Sequence, residues 1–243
     1  MKQALNLILM LLFATAPLLA LEPANILETV DRKLSPPSYE SYRKLINIEP
    51  DGSRREFILY TVKKGNDRVA SLFLSPASEM GRAMLRLDEN MWLYIPNVGK
   101  PIRTTSIQSV VGGVFNNADI MRLDYNEEYE AEKMEDNGNT YLLHLTAKNQ
   151  YVAYGSLKMT VDKQELLPLE IECYAATGML IKTLHFREIK TFDGGVRRPS
   201  VIETDSPLYE GYKSVMIFAQ IKKRELADEI FTLNFLPRLE TIR

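Results

Sequence analysis

Cysteine and histidine are scarce in this chain of 243 residues, which has Cys173 as its one cysteine and His144 and His185 as its two histidines. A single thiol excludes an internal disulfide, so the stability of the fold must come from an ordinary hydrophobic core. One cysteine and two separated histidines also make a poor zinc site. We expect no metal and no other cofactor, and we interpret Cys173 as a small buried core residue.

Catalytic motifs are missing as well. The sequence contains no HExxH, paired CxxC or GxSxG pattern, which mark metallopeptidases, redox or zinc sites and serine hydrolases. Gly112 and Gly113 lack the lysine and the strand–turn–helix context of a phosphate-binding loop. Both histidines lie in strand-like runs, LLHLT and TLHFR, where a structural role is commoner than a catalytic one. We therefore predict that the protein is not an enzyme.

Long apolar runs are confined to the N-terminus, where Ala4 to Ala20 follows a short basic start. This arrangement, with a small residue at Ala20, is typical of a secretory signal peptide. We predict a signal peptide at residues 1–20, cleaved near Ala20, and one domain at residues 21–243. An uncleaved anchor is the alternative, although so short an apolar core only marginally spans a bilayer. Export without disulfides indicates the periplasm, and no cysteine follows the apolar core to carry a lipid anchor.

An excess of basic charge is also absent. Lys and Arg total 30 against 32 Asp and Glu, so the formal net charge is −2. Because the basic residues are scattered, the chain lacks the electrostatic footprint of a nucleic-acid-binding protein. The short cluster Lys222-Lys223-Arg224 is typical of a solvated strand end, with a contact to anionic lipid as the alternative.

What the sequence does contain is one amphipathic helix followed by many short strands. The helix, predicted over residues 24–34, places four apolar residues on one face: Ile26, Leu27, Val30 and Leu34. From Tyr39 onward, β-rich runs alternate with turns of Gly, Asn and Asp, as in consecutive hairpins. So many sequential strands predict a mainly β fold with a few helices, built on a single large antiparallel sheet that curls.

A curled sheet needs a cover for its concave apolar face. The candidates are the first helix and the segment from Thr105 to Leu123, which read neither as strand nor as tight turn. A curled sheet with a covering segment encloses a cavity that side chains need not fill. The ten methionines suit such a cavity, because methionine adapts to irregular ligands.

Several motifs in this order resemble a known family. The run NMWLYIP, from Asn90 to Pro96, is similar to the N-x-W-x-Y-x-P strand of the outer-membrane lipoprotein-sorting proteins, relatives of the periplasmic carrier LolA. The remaining similar stretches are KPIR at 100–103, SIQS at 106–109, FNNADI at 115–120, FLSPA at 73–77, the DK and LPLE pair between 162 and 170, and LADEIFTL at 226–233. Together they extend over nearly the whole mature chain.

The resemblance implies a half-open, incomplete β-barrel with a helical lid. It also implies a periplasmic carrier that binds acyl chains of lipoproteins or other lipids and shuttles them towards the outer membrane. An inner-membrane ABC transporter as donor, an outer-membrane acceptor, transient membrane contact and a monomeric state are the expectations that come with it.

On this basis we predict the ligand-binding residues. Trp92, Tyr94 and Pro96 are expected at the cavity wall or mouth. The apolar lid and cavity residues are predicted to be Ile107, Val110, Val111, Phe115 and Met121. Gly112 and Gly113 are predicted as the lid hinge. Arg103 is predicted at the polar rim, paired with lid carbonyls or a polar head group, or else solvated at a strand end.

Two other functional classes stay open at this point. A lipid sensor or scaffold protein would use the same cavity without moving cargo. A lipid hydrolase would use His144 or His185 and would turn over phospholipid.

Overall fold

The structure is a computed structural model that describes residues 22–243. The predicted signal peptide at residues 1–20 lies outside the described residues. The helices are α1 (Pro23–Leu34), α2 (Asn117–Ile120) and α3 (Tyr125–Glu128), with 3₁₀ turns at Asp193–Gly195, Asp228–Phe231 and Leu236–Ile242. The strands are β1 (Ser38–Ile48), β2 (Arg54–Lys64), β3 (Arg68–Ser75), β4 (Ala83–Leu87), β5 (Asn90–Tyr94), β6 (Pro101–Thr104), β7 (Tyr129–Asn137), β8 (Thr140–Ala147), β9 (Ser156–Asp162), β10 (Pro168–Tyr174), β11 (Leu180–Phe192), β12 (Val196–Asp205) and β13 (Lys213–Lys223).

All thirteen strands belong to one antiparallel sheet, in the order β6-β5-β4-β3-β2-β1-β13-β12-β11-β10-β9-β8-β7. Strands that are consecutive in sequence pair with each other, apart from β6 and β7, and β1 also pairs with β13. That single long-range pairing joins an N-terminal half-sheet to a C-terminal one. The outermost strands β6 and β7 do not pair with each other, so the sheet is a curled, unclosed one. The predicted fold class is confirmed.

Helix α1 covers the concave face of the sheet. Its buried apolar residues are Ile26, Leu27, Val30 and Leu34, the four that the helical periodicity placed on one face. Among the described residues, none of the helices combines the length and the apolar character needed to cross a membrane.

Strand alternation divides the apolar residues between two faces. In β1, buried and half-buried residues alternate along the whole strand, and the buried set faces the concave side. One large cluster fills that side and includes α1, the segment around Phe115 and the inward residues of most strands. A second, smaller cluster lies on the convex side of β2 to β5.

The C-terminal segment covers the convex side of β2 to β5. Its apolar side chains pack against the outward residues of these strands, and the packed members are Leu226, Ile230, Phe231, Leu236 and Leu239. The Asp228 carboxylate fastens the segment through Lys64 Nζ at 2.7 Å and Arg68 Nη1 at 2.8 Å. The segment ends with a 3₁₀ turn at Leu236–Ile242.

Two short elements depart from the pattern of long hairpin strands. Residues 125–128 form the short helix α3, where Asp31 of α1 accepts hydrogen bonds from the Tyr125 and Asn126 amides, both at 2.8 Å. Residues 101–104 form the edge strand β6, which their short length and leading proline concealed.

Candidate functional site

An internal cavity lies between the concave face and the segment that crosses it. Its wall is mainly apolar, with Leu157, Ile171, Cys173, Leu184, Phe186 and Ile202 contributed by β9 to β12. The space open to the centres of water molecules is about 50 Å³. That is room for a few waters, whereas pockets that enclose organic ligands usually measure about 300–1,000 Å³. The cavity is therefore nearly closed in this conformation.

The lid segment, defined here as residues 106–121, closes one side of the cavity. It is tied to side chains from four strands of the sheet. The hydrogen bonds run from Arg43 Nη1 to Ile120 O at 2.9 Å, from Arg86 Nη1 to Met121 O at 3.2 Å, from Lys182 Nζ to Val114 O at 2.7 Å, and from Val114 N to Ser214 Oγ at 2.9 Å. Three of these bonds run from a cation to a lid carbonyl. The lid is thus held by charge-assisted hydrogen bonds in addition to apolar packing.

Asp119 is the main polar anchor of the lid. Its Oδ2 accepts from Lys182 Nζ at 2.6 Å, and its Oδ1 accepts from Tyr154 OH at 2.9 Å. Asp119 and Asn116 also form a reciprocal capping box at the start of α2. Burial raises the pKa of Tyr154 well above its usual 10, with the nearby Asp119 adding to the effect. Tyr154 therefore stays protonated and donates to the carboxylate.

A tight turn shapes the outer end of the lid. Val111 and Gly112 both have positive φ, at 47° and 73°, and Gly113 N donates to Val110 O at 3.2 Å. Two consecutive residues of this kind form a hairpin turn, and Ser109 pairs with Asn116 beyond it. A Cβ on Gly113 would lie 2.1 Å from Asn47 Oδ1, so only glycine fits there.

Six cationic side chains are buried, or nearly so, beneath the lid and α1. Four have a carboxylate partner: Lys182 with Asp119, Arg86 with Glu128, Lys63 with Asp124, and Arg122 with Asp31. Among the described residues, Arg43 and Arg198 form no ion pair with an Asp or Glu. Burial lowers the pKa of Arg43 to about 10 and that of Arg198 to about 9, so both remain charged at neutral pH.

The pKa of Tyr39 is shifted by the positive charges around it. It lines the cavity beside Arg43 and Arg198. Burial by itself raises the pKa of Tyr39, but the charges of Lys63, Arg43, Arg198 and Arg122 outweigh it and leave the pKa below 10. The site therefore combines an apolar wall with two unpaired buried guanidinium groups.

Comparisons with known proteins agree with this architecture. A family model described only as an uncharacterised protein family matches residues 65–238, and no curated protein matches the chain. A LolA superfamily protein from Nitrosomonas europaea has a structure that superposes with a TM-score of 0.80, at 28% identity, covering 89% of this chain and 100% of that one. This protein is a member of the LolA superfamily.

Two more solved structures share the LolA-like fold. One, described as an outer-membrane lipoprotein-sorting protein domain, comes from Vibrio parahaemolyticus, with TM-score 0.74, 20% identity, and coverage of 88% of this chain and 98% of that one. The other is a DUF1329 family protein from Desulfovibrio piger, with TM-score 0.76, 22% identity, and coverage of 88% and 97%. At these identities, the likeness concerns the fold alone.

In this LolA-like chain, the predicted lid residues are brought together on the concave side. Val110, Phe115 and Met121 are buried in the concave cluster, and Phe115 lines the cavity. Val111 packs partly against the same cluster. Ile107 is 65% exposed, so it does not belong to the buried side of the lid.

The aromatic residues of β5 lie elsewhere. Trp92 and Tyr94 pack on the convex side against the C-terminal cluster, while their neighbours Met91 and Leu93 face the concave side. Pro96 is exposed in the loop after β5. Contrary to the prediction from sequence, these three residues do not line the internal cavity. Alternation turns Trp92 and Tyr94 to the other face of the sheet, and Pro96 lies beyond the end of the strand.

Arg103 contacts the convex side as well. It is exposed, donates to Asn90 Oδ1 and lies over the Trp92 ring at 5.4 Å. It donates to no lid carbonyl among the described residues. The arginines that do so are Arg43 and Arg86, which the sequence analysis did not single out.

Other residues with potential chemistry lie outside the cavity. His144 pairs with Glu135 and His185 with Glu170, both at 3.1 Å, on the convex side of the sheet. Residues 22–243 contain no group of three or more His, Cys, Asp or Glu side chains that could hold a metal ion.

The functional residues that sequence reasoning missed are the buried cations. Arg43 alternates in phase with Tyr39, Ser41 and Leu45 along β1. Arg43 is two residues from Leu45 and four from Tyr39, so strand periodicity places it on the same face as these apolar side chains. That spacing was a signal that the arginine faces inward.

Proposed function

We propose that this protein is a periplasmic carrier, which takes up acyl chains of lipoproteins or other lipids in the internal cavity and moves them towards the outer membrane. The observation that carries the proposal is the apolar cavity between the concave face and a lid fastened by exchangeable hydrogen bonds. Membership of the LolA superfamily supports it. The proposed role is binding and transport, without catalysis.

The physical need for such a carrier follows from the hydrophobic effect. An exposed acyl chain costs about 0.8 kcal/mol per CH₂ group in water, so crossing an aqueous compartment requires a sheath. The closed cavity is too small for such a chain, and uptake requires the lid to move. Hydrogen bonds involving a charged group contribute about 1.5–3 kcal/mol each, so burial of a long chain offsets the loss of several of them.

In the proposed loaded state, the buried side of the lid contacts the chain. Phe115 is the proposed direct contact, with Val110, Val111 and Met121 supporting it, and the turn at Gly112-Gly113 is the proposed point of movement. An inner-membrane ABC transporter as donor and an outer-membrane acceptor are proposed partners, met in transient membrane contacts by a monomeric carrier.

A pair of cavity-filling variants tests acyl-chain binding. Ala118 lines the cavity, whereas Ala83 lies in the convex cluster. Both are buried, so enlarging either costs roughly 1–3 kcal/mol of stability. We expect Ala118→Leu to weaken binding of a fluorescent long-chain lipid at least tenfold and Ala83→Leu to leave it unchanged. Equal binding by the two variants would contradict a binding site under the lid.

A transfer assay separates a carrier from a sensor or scaffold. Labelled acylated lipoprotein is loaded in donor vesicles, and its arrival in acceptor vesicles is followed with and without the protein. A carrier accelerates arrival in proportion to its concentration. Binding without accelerated transfer would favour the sensor, and phospholipid turnover lost in His144→Ala or His185→Ala would favour a hydrolase.

A further inference from the structure

We propose that the cavity accepts a single-chain amphiphile with an oxyanion head, whose head group binds between Arg43 and Arg198 while its tail lies along the apolar wall. This inference rests on the proposed function, because it assumes that acyl chains enter the cavity. It goes further by naming the chemical class of the ligand.

The sheet places the two arginines on the strands that flank Phe218. Strands β1, β13 and β12 are adjacent, and they carry Arg43, Phe218 and Arg198 on the concave face. The guanidinium carbons lie 5.7 Å and 4.0 Å from the centroid of the Phe218 ring. Both guanidinium groups make cation–π contacts with the ring, and these contacts leave their N–H groups available for hydrogen bonds.

The hydrogen bonds of these arginines leave both guanidinium groups without an anionic partner among the described residues. Arg43 donates to Ile120 O and Thr61 Oγ1, and Arg198 donates to Leu34 O and Pro199 O. These acceptors are neutral. Arg43 Nε is buried and has no hydrogen-bond partner. A buried, unpaired charge is costly, so an oxyanion that pairs with both guanidinium groups gains more here than it would in water.

The apolar wall begins beside the arginines and continues in one direction. Moving across the sheet from Phe218, the cavity is lined by Ile202 on β12, Phe186 and Leu184 on β11, Ile171 on β10 and Leu157 on β9. With neighbouring strands about 4.8 Å apart, this track crosses roughly 19 Å. A charged end followed by a long apolar track fits a head and a single tail.

Binding at this place is coupled to opening of the cover. Arg43 holds the lid carbonyl of Ile120, and Arg198 holds the carbonyl of Leu34 at the end of α1. Hydrogen bonds to an ionised acceptor are stronger than those to a carbonyl. An oxyanion that takes over these donors therefore weakens the attachment of both covering elements, which makes space for the tail.

Isothermal titration with four ligands tests the proposal on the purified full-length mature protein. The ligands are palmitic acid, hexadecyl phosphate, hexadecanol and inorganic phosphate. We expect at least one of the two anionic amphiphiles to bind tenfold or more tightly than hexadecanol, and the preferred one identifies the head group. Inorganic phosphate is expected to bind far more weakly, because it lacks a tail.

Variants locate the head group. Arg43→Met and Arg198→Met remove the charges and keep the length of the side chains, and we expect the tenfold preference to disappear in the double variant. Arg103→Met, at an exposed arginine outside the cavity, is the matched control and should keep the preference. If the double variant does not fold, Arg43→Lys and Arg198→Lys, which keep charge but lose the planar fork, should reduce the preference severalfold.

The outcomes distinguish this inference from the proposed function. Equal affinity of the wild-type protein for hexadecanol and for both anionic amphiphiles would overturn the head-group site and leave the acyl-chain carrier standing. Tight binding of inorganic phosphate would overturn the assignment of an amphiphile. If none of the three long-chain ligands binds, the proposed function fails, and this inference fails with it.

Discussion

Lys182 on β11 and Asp119 in the lid form an ion pair of 2.6 Å, in which both side chains are almost wholly buried. The pair joins the cover of the cavity to its wall. Lys182 also donates to Val114 O at 2.7 Å. Its ammonium group therefore binds the lid at two positions, Val114 and Asp119.

Breaking this pair from one side should be costly. In Asp119→Asn, the Lys182 charge stays buried without a carboxylate, and we expect the free energy of unfolding to fall by about 3–5 kcal/mol. In the double variant Asp119→Asn with Lys182→Met, no charge is left buried, and most of that loss should be recovered. Urea unfolding of the wild type, both single variants and the double variant measures the coupling. Additive losses would show that the two residues act independently.

Gly113 and Asn47 define a second close contact between lid and sheet. A Cβ added to Gly113 would meet Asn47 Oδ1 at 2.1 Å. That oxygen accepts from Ser214 Oγ at 2.8 Å, so it is not free to move. We expect Gly113→Ala to lift the lid turn and to lower the free energy of unfolding by about 2–3 kcal/mol.

The native Cys173 serves as the probe for this movement. It lines the cavity and is buried, and burial raises the pKa of its thiol, so it should react slowly with a small thiol reagent. Gly113→Ala should accelerate that reaction severalfold. In an Asn47→Ala background the clash is gone, and Gly113→Ala should then add little. An equal acceleration in both backgrounds would rule out the contact as the cause.

Asp31 makes the stability of the fold depend on pH. Burial raises the pKa of Asp31 from 3.8 to about 6, with Asp124 contributing, while Arg122 and the amides of Asn126 and Tyr125 only partly oppose the shift. Between these two values the folded protein holds a proton that the unfolded chain has released. The stability contributed by this group is therefore lost as pH rises through the window, by about 3 kcal/mol in total.

Comparison with Asp31→Asn isolates this effect from all other groups. The unfolding free energy of the wild type minus that of the variant should decrease by about 2.4 kcal/mol between pH 4 and pH 7, most of the total effect. Chemical denaturation at intervals of one pH unit measures it. A difference that stays flat, or that rises with pH, would mean that the ionised carboxylate is stabilised where it caps α3.

Local patterns in the sequence were enough for much of the architecture. The helical spacing of Ile26, Leu27, Val30 and Leu34 identified the buried face of α1, because a helix repeats every 3.6 residues whatever it packs against. Turn residues placed most of the hairpins, since sequential strands that are joined by short turns pair antiparallel. The number of sequential strands indicated the curled sheet, and the stretch that read neither as strand nor as tight turn indicated its cover.

Strand β5 shows what local patterns could not predict, namely which face of a strand lines the cavity. Alternation separates Met91 and Leu93 from Trp92 and Tyr94, but both sets are apolar. The pattern alone does not tell which set faces the cavity. The answer depends on the C-terminal segment, which is distant in sequence and covers the convex side.

The sequence by itself determined most of the secondary structure, the antiparallel sheet and the existence of a covering segment, because these follow from local periodicity and from short connections. Only the tertiary structure decided which residues enclose the cavity. It turned Trp92 and Arg103 outward and buried Arg43 and Arg198 without a carboxylate partner among the described residues. The charge balance of an interior depends on which strands the curled sheet brings face to face with the lid, and no single strand contains that information.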